Sequence, residues 1–123
     1  MHFCAELNNP SAIDTLCVIG ADINLQTVEG HTPLYIACQY GRLGAVRQLI
    51  EYGADCNLVD FLGSSPLHAA ARGGHVDIMA LIVEHGAELD RKTYHGYTPL
   101  FVASQECQAE AVEFLLKSGL RLI

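Results

Sequence analysis

Positive charge is scarce in this sequence. Its 123 residues hold seven lysines and arginines against fourteen aspartates and glutamates, a formal net charge of −7, with an isoelectric point near 5.2. A surface of that sign repels phosphates, so neither nucleic acid nor an anionic membrane is an expected partner. The one basic pair, Arg91-Lys92, is too small to change this. Long apolar stretches are missing as well. The longest runs only from Ile78 to Val83, far short of the roughly 20 residues that a membrane helix needs. After Met1 come His2-Phe3-Cys4-Ala5-Glu6, without the basic, apolar and cleavage regions of an export signal. The expected location is the cytoplasm, with the nucleus as a second compartment.

Spacings that carry chemistry are absent too. The five cysteines, Cys4, Cys17, Cys38, Cys56 and Cys107, form no Cys-x-x-Cys pair and are odd in number. They read as free thiols in a reducing compartment, serving as small buried apolar side chains. Among His2, His31, His68, His75, His85 and His95 no pair stands four residues apart with a carboxylate in the metalloprotease manner. His31 and His95 are expected at separate tips, too far apart to share an ion. No glycine-rich phosphate loop precedes a lysine. A Cys/His nucleophile pair would need a concave pocket and a third, orienting group. The expectation is therefore no enzyme, no metal and no cofactor.

What the sequence does have is a period. Gly30-His-Thr-Pro-Leu returns as Gly63-Ser-Ser-Pro-Leu and as Gly96-Tyr-Thr-Pro-Leu, 33 residues apart each time. A second series, Gly20-Ala-Asp, Gly53-Ala-Asp and Gly86-Ala-Glu, keeps the same step and fades at Gly119-Leu-Arg. Two glycine positions locked to one period mean stacked units.

Within a unit, Thr32 is suited to cap a helix and Pro33 to its first position. Leu34, Ala37 and Cys38 then mark one apolar helical face. Gly41 ends this helix. A second helix carries Val46, Leu49 and Ile50 and stops at Gly53. The next unit matches with Ser65-Pro66, Leu67, Ala70, Ala71, Gly74, then Met79, Ile82 and Val83. The last matches with Thr98-Pro99, Leu100, Ala103, Ser104, then Val112, Leu115 and Leu116. The first is visible through Ile13, Leu16 and Cys17. Ala37, Ala70 and Ala103 are small enough for helices to approach closely. Each helix pair is too short to be stable alone, so the shared core must come from stacking.

Gly-x-Thr-Pro-Leu, the following alanine, the apolar pair of the second helix and Gly-Ala-Asp-x-Asn together resemble the ankyrin repeat, over about three and three-quarter units. The resemblance implies an all-α solenoid: helix–turn–helix units joined by β-hairpin-like fingers. One domain would span 1–123, with a partial unit at 1–24 and units at 25–57, 58–90 and 91–123. It implies protein–protein recognition through finger tips and the inner face of the first helices, with no catalysis. Carried over position by position, the tips are Val28, Glu29 and His31, then Phe61, Leu62 and Ser64, then Tyr94, His95 and Tyr97. The inner face offers Gln39 and Tyr40, then Arg72, then Gln105 and Glu106. The tip rings have two readings: they bind a partner, or they pack finger against finger. In the family, asparagines placed like Asn24 and Asn57 bond turn backbones and can be hydroxylated.

The chain departs from the pattern in places. Of the histidine after Thr-Pro-Leu only His68 is kept, while Tyr35 and Phe101 replace the others, and apolar packing of those rings is the expected substitute for the histidine's hydrogen bonds. Asn8 and Cys107 stand where Gly41 and Gly74 stand. Cysteine tolerates the left-handed conformation poorly. Met1 falls at the leucine of Thr-Pro-Leu, leaving the first helix without its cap, and Leu120-Arg121-Leu122-Ile123 supplies no polar cap. The expectation is a piece or short form of a longer array that self-associates through bare ends. Gly30 to Cys38 is also similar to repeats in substrate receptors of ubiquitin ligases, which carry a SOCS box that is not found in these residues.

Overall fold

The structure, a computed structural model, describes residues 1–120. Arg121, Leu122 and Ile123 lie outside the described residues, and with them most of the segment behind the expectation of a bare C-terminus.

Eight helices make four hairpins among the described residues: α1 (His2–Glu6) with α2 (Pro10–Val18), α3 (Pro33–Gln39) with α4 (Leu43–Glu51), α5 (Pro66–Gly73) with α6 (Val76–Glu84), and α7 (Pro99–Gln105) with α8 (Ala109–Leu120). The first helices touch in the order α1, α3, α5, α7, and the second helices in the order α2, α4, α6, α8. Two helical layers result, and the core runs between them along the stack. The alanines stand where the first helices meet. Ala37, Ala70 and Ala103 are fully buried, and so are Leu49, Leu67, Met79 and Ile82 in the seam. Each large side chain buried there is worth about 1.5–3 kcal/mol. No single hairpin encloses it.

The helix starts follow the expected chemistry. Thr32 Oγ1 accepts the Tyr35 N–H at 3.1 Å, Ser65 Oγ accepts the His68 N–H at 3.3 Å, and Thr98 Oγ1 accepts the Phe101 N–H at 3.1 Å. Each is followed by proline at the first helical position. One cap escaped the sequence reading: Asn9 Oδ1 accepts the Ala12 N–H ahead of Pro10. The Asn9-Pro10 pair signalled it. Met1, by contrast, caps α1 with no side-chain bond. Asn8 and Cys107 do take the left-handed conformation of their glycine counterparts, with φ of 54° and 57°.

The Ala-Asp-x-Asn motif stitches consecutive units. Asp22 and Asp55 accept the N–H of Asn24 and Asn57 within their own turns. Asn24 Oδ1 then accepts the Asp55 N–H at 3.1 Å and Asn57 Oδ1 the Glu88 N–H at 3.0 Å, one unit further on. Asn57 also donates to the Gly86 carbonyl.

Three sequence expectations need correction. Ser104 is exposed, although its counterparts Cys38 and Ala71 are buried, because no described unit lies beyond α7 to cover it. Leu116 is half exposed for the same reason. Cys107 is exposed, unlike the buried thiols Cys38 and Cys56, because it occupies the turn between α7 and α8.

Candidate protein-binding face

The fingers are tight hairpin-like turns with no strand among the described residues. In each, one backbone pair closes the base: Thr27 N–H to His31 O, Asp60 N–H to Ser64 O, and Thr93 N–H to Tyr97 O, all at 2.9 Å. Neighbouring fingers are joined. Phe61 N–H donates to Glu29 O at 3.2 Å and Tyr94 N–H to Leu62 O at 3.0 Å. The ring of Phe61 lies against Gly30, and that of Tyr94 against Gly63.

The packing reading of the tip rings therefore holds in part. One edge of each ring packs on the preceding glycine, yet Phe61 remains 63% exposed and Tyr94 74% exposed. Val28, at the same register, is almost wholly exposed, and Leu62 is exposed beside Phe61. Such a row of apolar tips is a feature of interaction sites.

Inside the tips runs a column of which the sequence showed His68, Tyr35 and Phe101 but not His2. His2, Tyr35, His68 and Phe101 share one register of the 33-residue period. His2 Nε2 bonds His31 O at 3.0 Å, the Tyr35 hydroxyl bonds Ser64 Oγ at 3.1 Å, and His68 Nε2 donates to Tyr97 O at 2.8 Å. Each side chain reaches into the next finger. Counting 33 back from Tyr35 would have found His2. Tyr35 thus keeps a hydrogen bond where apolar packing alone was expected. It also stacks on His31, with ring centroids 4.4 Å apart. Phe101 does pack as expected, stacked on Tyr97 at 4.8 Å.

His68 Nδ1 accepts the Ser65 N–H at 3.1 Å, which fixes the proton on Nε2. Burial pushes the imidazole below its ordinary range, and nearby Arg72 adds to this, against opposing contributions from the carbonyls of Tyr97 and Arg91 and from Asp60. Asp60, itself buried, accepts the N–H groups of Leu62 and Ser64 through Oδ1 and faces His31 Nε2 through Oδ2 at 3.2 Å.

Two hollows open on this face. One, of about 260 Å³, is lined by Glu6, Thr27, Glu29, His31, Ile36, Gln39 and Tyr40. The other, of about 250 Å³, is lined by His31, Tyr35, Gln39, Asp60, Leu62, Ser64, Arg72, Thr93, His95 and Tyr97. They share His31 and Gln39. Of the expected residues, Glu29, His31, Gln39, Tyr40, Leu62, Ser64, Arg72, His95 and Tyr97 line one or both hollows, together with Glu6, Thr27, Ile36, Tyr35, Asp60 and Thr93, while Val28, Phe61 and Tyr94 line neither. Gln105 and Glu106 are exposed at the end of α7 but line neither hollow. Ser64 is a correction: it is buried beneath its finger, held by Tyr35 and Asp60, and offers a partner little surface. His31 is largely covered as well, its side chain 18% exposed. His31 and His95, in separate fingers as expected, line the same hollow.

Burial pushes the Cys38 thiol up, and the Cys56 thiol up with help from Asp55. Cys17 is raised by burial and by Asp14. These sulfurs hold their protons, the reverse of an activated nucleophile. Among the described residues no group of three or more His, Cys, Asp or Glu side chains converges as a metal-binding set. No helix among them is long and apolar enough to cross a membrane.

A family model for ankyrin repeats, built of three copies, matches residues 1–93 and again 52–122. The chain belongs to the ankyrin-repeat family. No curated protein sequence matches it. Ankyrin repeats are in general modules that bind other proteins and are typically not enzymes. In this ankyrin array the capped helix starts and finger-to-finger bonds are made by the residues that recur at the 33-residue period.

Proposed function

We propose that this chain is a non-catalytic binding module, an adaptor in the broad sense, that holds another protein between its finger tips and the hollows beside them. The observation that carries the reading is the row Val28, Phe61, Leu62 and Tyr94, exposed along the tips, of which Leu62 also lines the second hollow. The compartment proposed with this reading is a reducing one, cytoplasm or nucleus, where free thiols such as Cys38 and Cys56 persist. Affinity capture from cell lysate with the intact chain, set beside the double variant Phe61→Ala and Tyr94→Ala, tests it. The double variant is expected to keep its helical circular dichroism and to lose the captured protein. Equal capture by both proteins would remove the tips from the site.

A second reading, self-association, draws on a different surface. Phe3 of α1, Leu7 just after it, and Val18 and Ile19 at the end of α2 are all more than half exposed. These belong to the first hairpin, whose outer side meets no described helix. Sedimentation over a range of concentrations tests this reading: a dimer that Phe3→Glu with Ile19→Glu dissociates supports it, and a monomer at every concentration removes it.

A further inference from the structure

The two hollows differ in charge, and the difference follows the repeat register. Glu6, Gln39, Arg72 and Gln105 occupy one register, 33 residues apart, at the ends of α1, α3, α5 and α7. Along the stack this column reads acid, amide, base, amide. The finger column Glu29, Leu62 and His95, again 33 residues apart, has an acid in its earlier unit and an imidazole in its later one. The first hollow therefore carries two carboxylates, Glu6 and Glu29, and no lysine or arginine, with His31 Nδ1 3.4 Å from Glu29; His31 lines both hollows and does not set them apart. The second carries Arg72 and His95. Its own acid, Asp60, is engaged by two backbone N–H groups and by His31.

Arg72 makes no ion pair with any described residue, and neither does the Glu6 carboxylate. Arg42 donates to the backbone carbonyl of Glu6 and leaves its carboxylate unpaired. In a chain with a net charge of −7, an unpaired arginine in a hollow is a placed charge. Gln39 lies between the two ends and lines both hollows. Its amide is free to bond a passing backbone.

Resting on the binding-module reading, we infer that the occupant of this trough is an extended peptide segment with a fixed charge order. A lysine or arginine sits over Glu6 and Glu29, and an aspartate or glutamate sits on Arg72. Packed helices stand about 10 Å apart, so Glu6 and Arg72, two units apart, are separated by roughly 20 Å. At about 3.3 Å per extended residue, the two charges of the segment stand about six positions apart. An amphoteric segment is selected over a purely basic one. The latter would satisfy the overall charge of the chain but would meet Arg72 with repulsion.

Selection of a phage-displayed library of random dodecapeptides on the intact chain tests this, run in parallel on Arg72→Glu and on the Phe61→Ala/Tyr94→Ala double variant. Arg72 is exposed, and an unchanged melting curve for Arg72→Glu keeps the comparison clean. The intact chain is expected to enrich peptides with a basic and an acidic residue about six apart. Arg72→Glu is expected to weaken those peptides about fivefold or more and to enrich a base in place of the acid. Enrichment of basic peptides alone, an unchanged preference on Arg72→Glu, or no enrichment at all would overturn the inference. Peptides that depend on Phe61 and Tyr94 but ignore Arg72 would leave the module standing and remove only its charge order. Lysate capture reads the module separately when no peptide binds.

Discussion

A Cβ placed on Gly30 would fall 2.7 Å from the amide nitrogen of Phe61 and 2.8 Å from its ring carbon Cδ1. The glycine also holds a φ of +87°, which side chains rarely adopt. Two penalties coincide there, because the same finger must turn tightly and receive the next finger on its face. Gly96 has nearly the same φ, +86°, but nothing within 4 Å of such a Cβ. Gly30→Ala is therefore expected to lower stability by about 2–4 kcal/mol, and Gly96→Ala by only about 1–2 kcal/mol. Urea denaturation midpoints of the two variants check the order. Equal losses would mean that the fingers do not rest on one another.

Asn8 and Cys107 share a conformation but not a role. Cys107 is exposed at φ 57° in the turn between α7 and α8. Cys107→Gly is expected to raise stability by about 1 kcal/mol, the strain released being larger than the entropy added to the unfolded chain. Asn8 tolerates the left-handed region better, and its Oδ1 accepts the Ala45 N–H at 2.8 Å. Asn8→Gly removes that bond, so a loss of about 1 kcal/mol is expected in its place. Thermal melts that moved in the same direction for both variants would contradict this division.

The two residues also show how far the sequence could be read. The left-handed turn at Cys107 was legible because the period assigns it the place of Gly74. The bond from Asn8 to the next hairpin was not, since the period gives a register and says nothing about where a side chain ends. The same limit hid Ser64. Its register put it at a tip, but Tyr35 and Asp60 hold it under the finger. His2 was within reach of counting and was passed over because the motif around it is incomplete. That His31 and His95 line one hollow was not legible either, because a 33-residue period places each in its own finger and does not say which side chains share a cavity.

Tyr35 replaces a histidine of the repeat pattern and still bridges to the next unit through its hydroxyl. Tyr35→Phe keeps the ring, and so the stack on His31, but strands the buried Ser64 hydroxyl. A loss of about 1–2 kcal/mol is expected. The reverse change at the same register two units on, Phe101→Tyr, is expected to be nearly neutral, because Phe101 is partly exposed and no described unit lies beyond it to bond the new hydroxyl. Chemical denaturation of the pair checks both. A neutral Tyr35→Phe would mean that the hydroxyl bond to Ser64 does not hold these units together.

His68 gives the fold a pH dependence whose direction follows from its surroundings. In the folded chain Nδ1 accepts the Ser65 N–H and Nε2 donates to Tyr97 O. A second proton would have to displace the Ser65 bond and would bring charge into a buried site near Arg72. The folded imidazole therefore binds its proton less readily than the unfolded one, whose ordinary value is 6.5. Between the lowered folded value and 6.5, the unfolded chain carries more protons than the folded one, so stability rises with pH across that window. Read downward, stability is intact above 6.5, falls as the pH drops through the window, and levels off below the folded value. His68→Gln removes the titrating ring. Its cost at pH 7.5 is expected to shrink steadily towards pH 5, because only the parent protein loses His68-linked stability there. Denaturation midpoints of the two proteins across this range provide the measurement. A gap that stays constant with pH would show that His68 takes up its proton as easily in the fold as in the open chain.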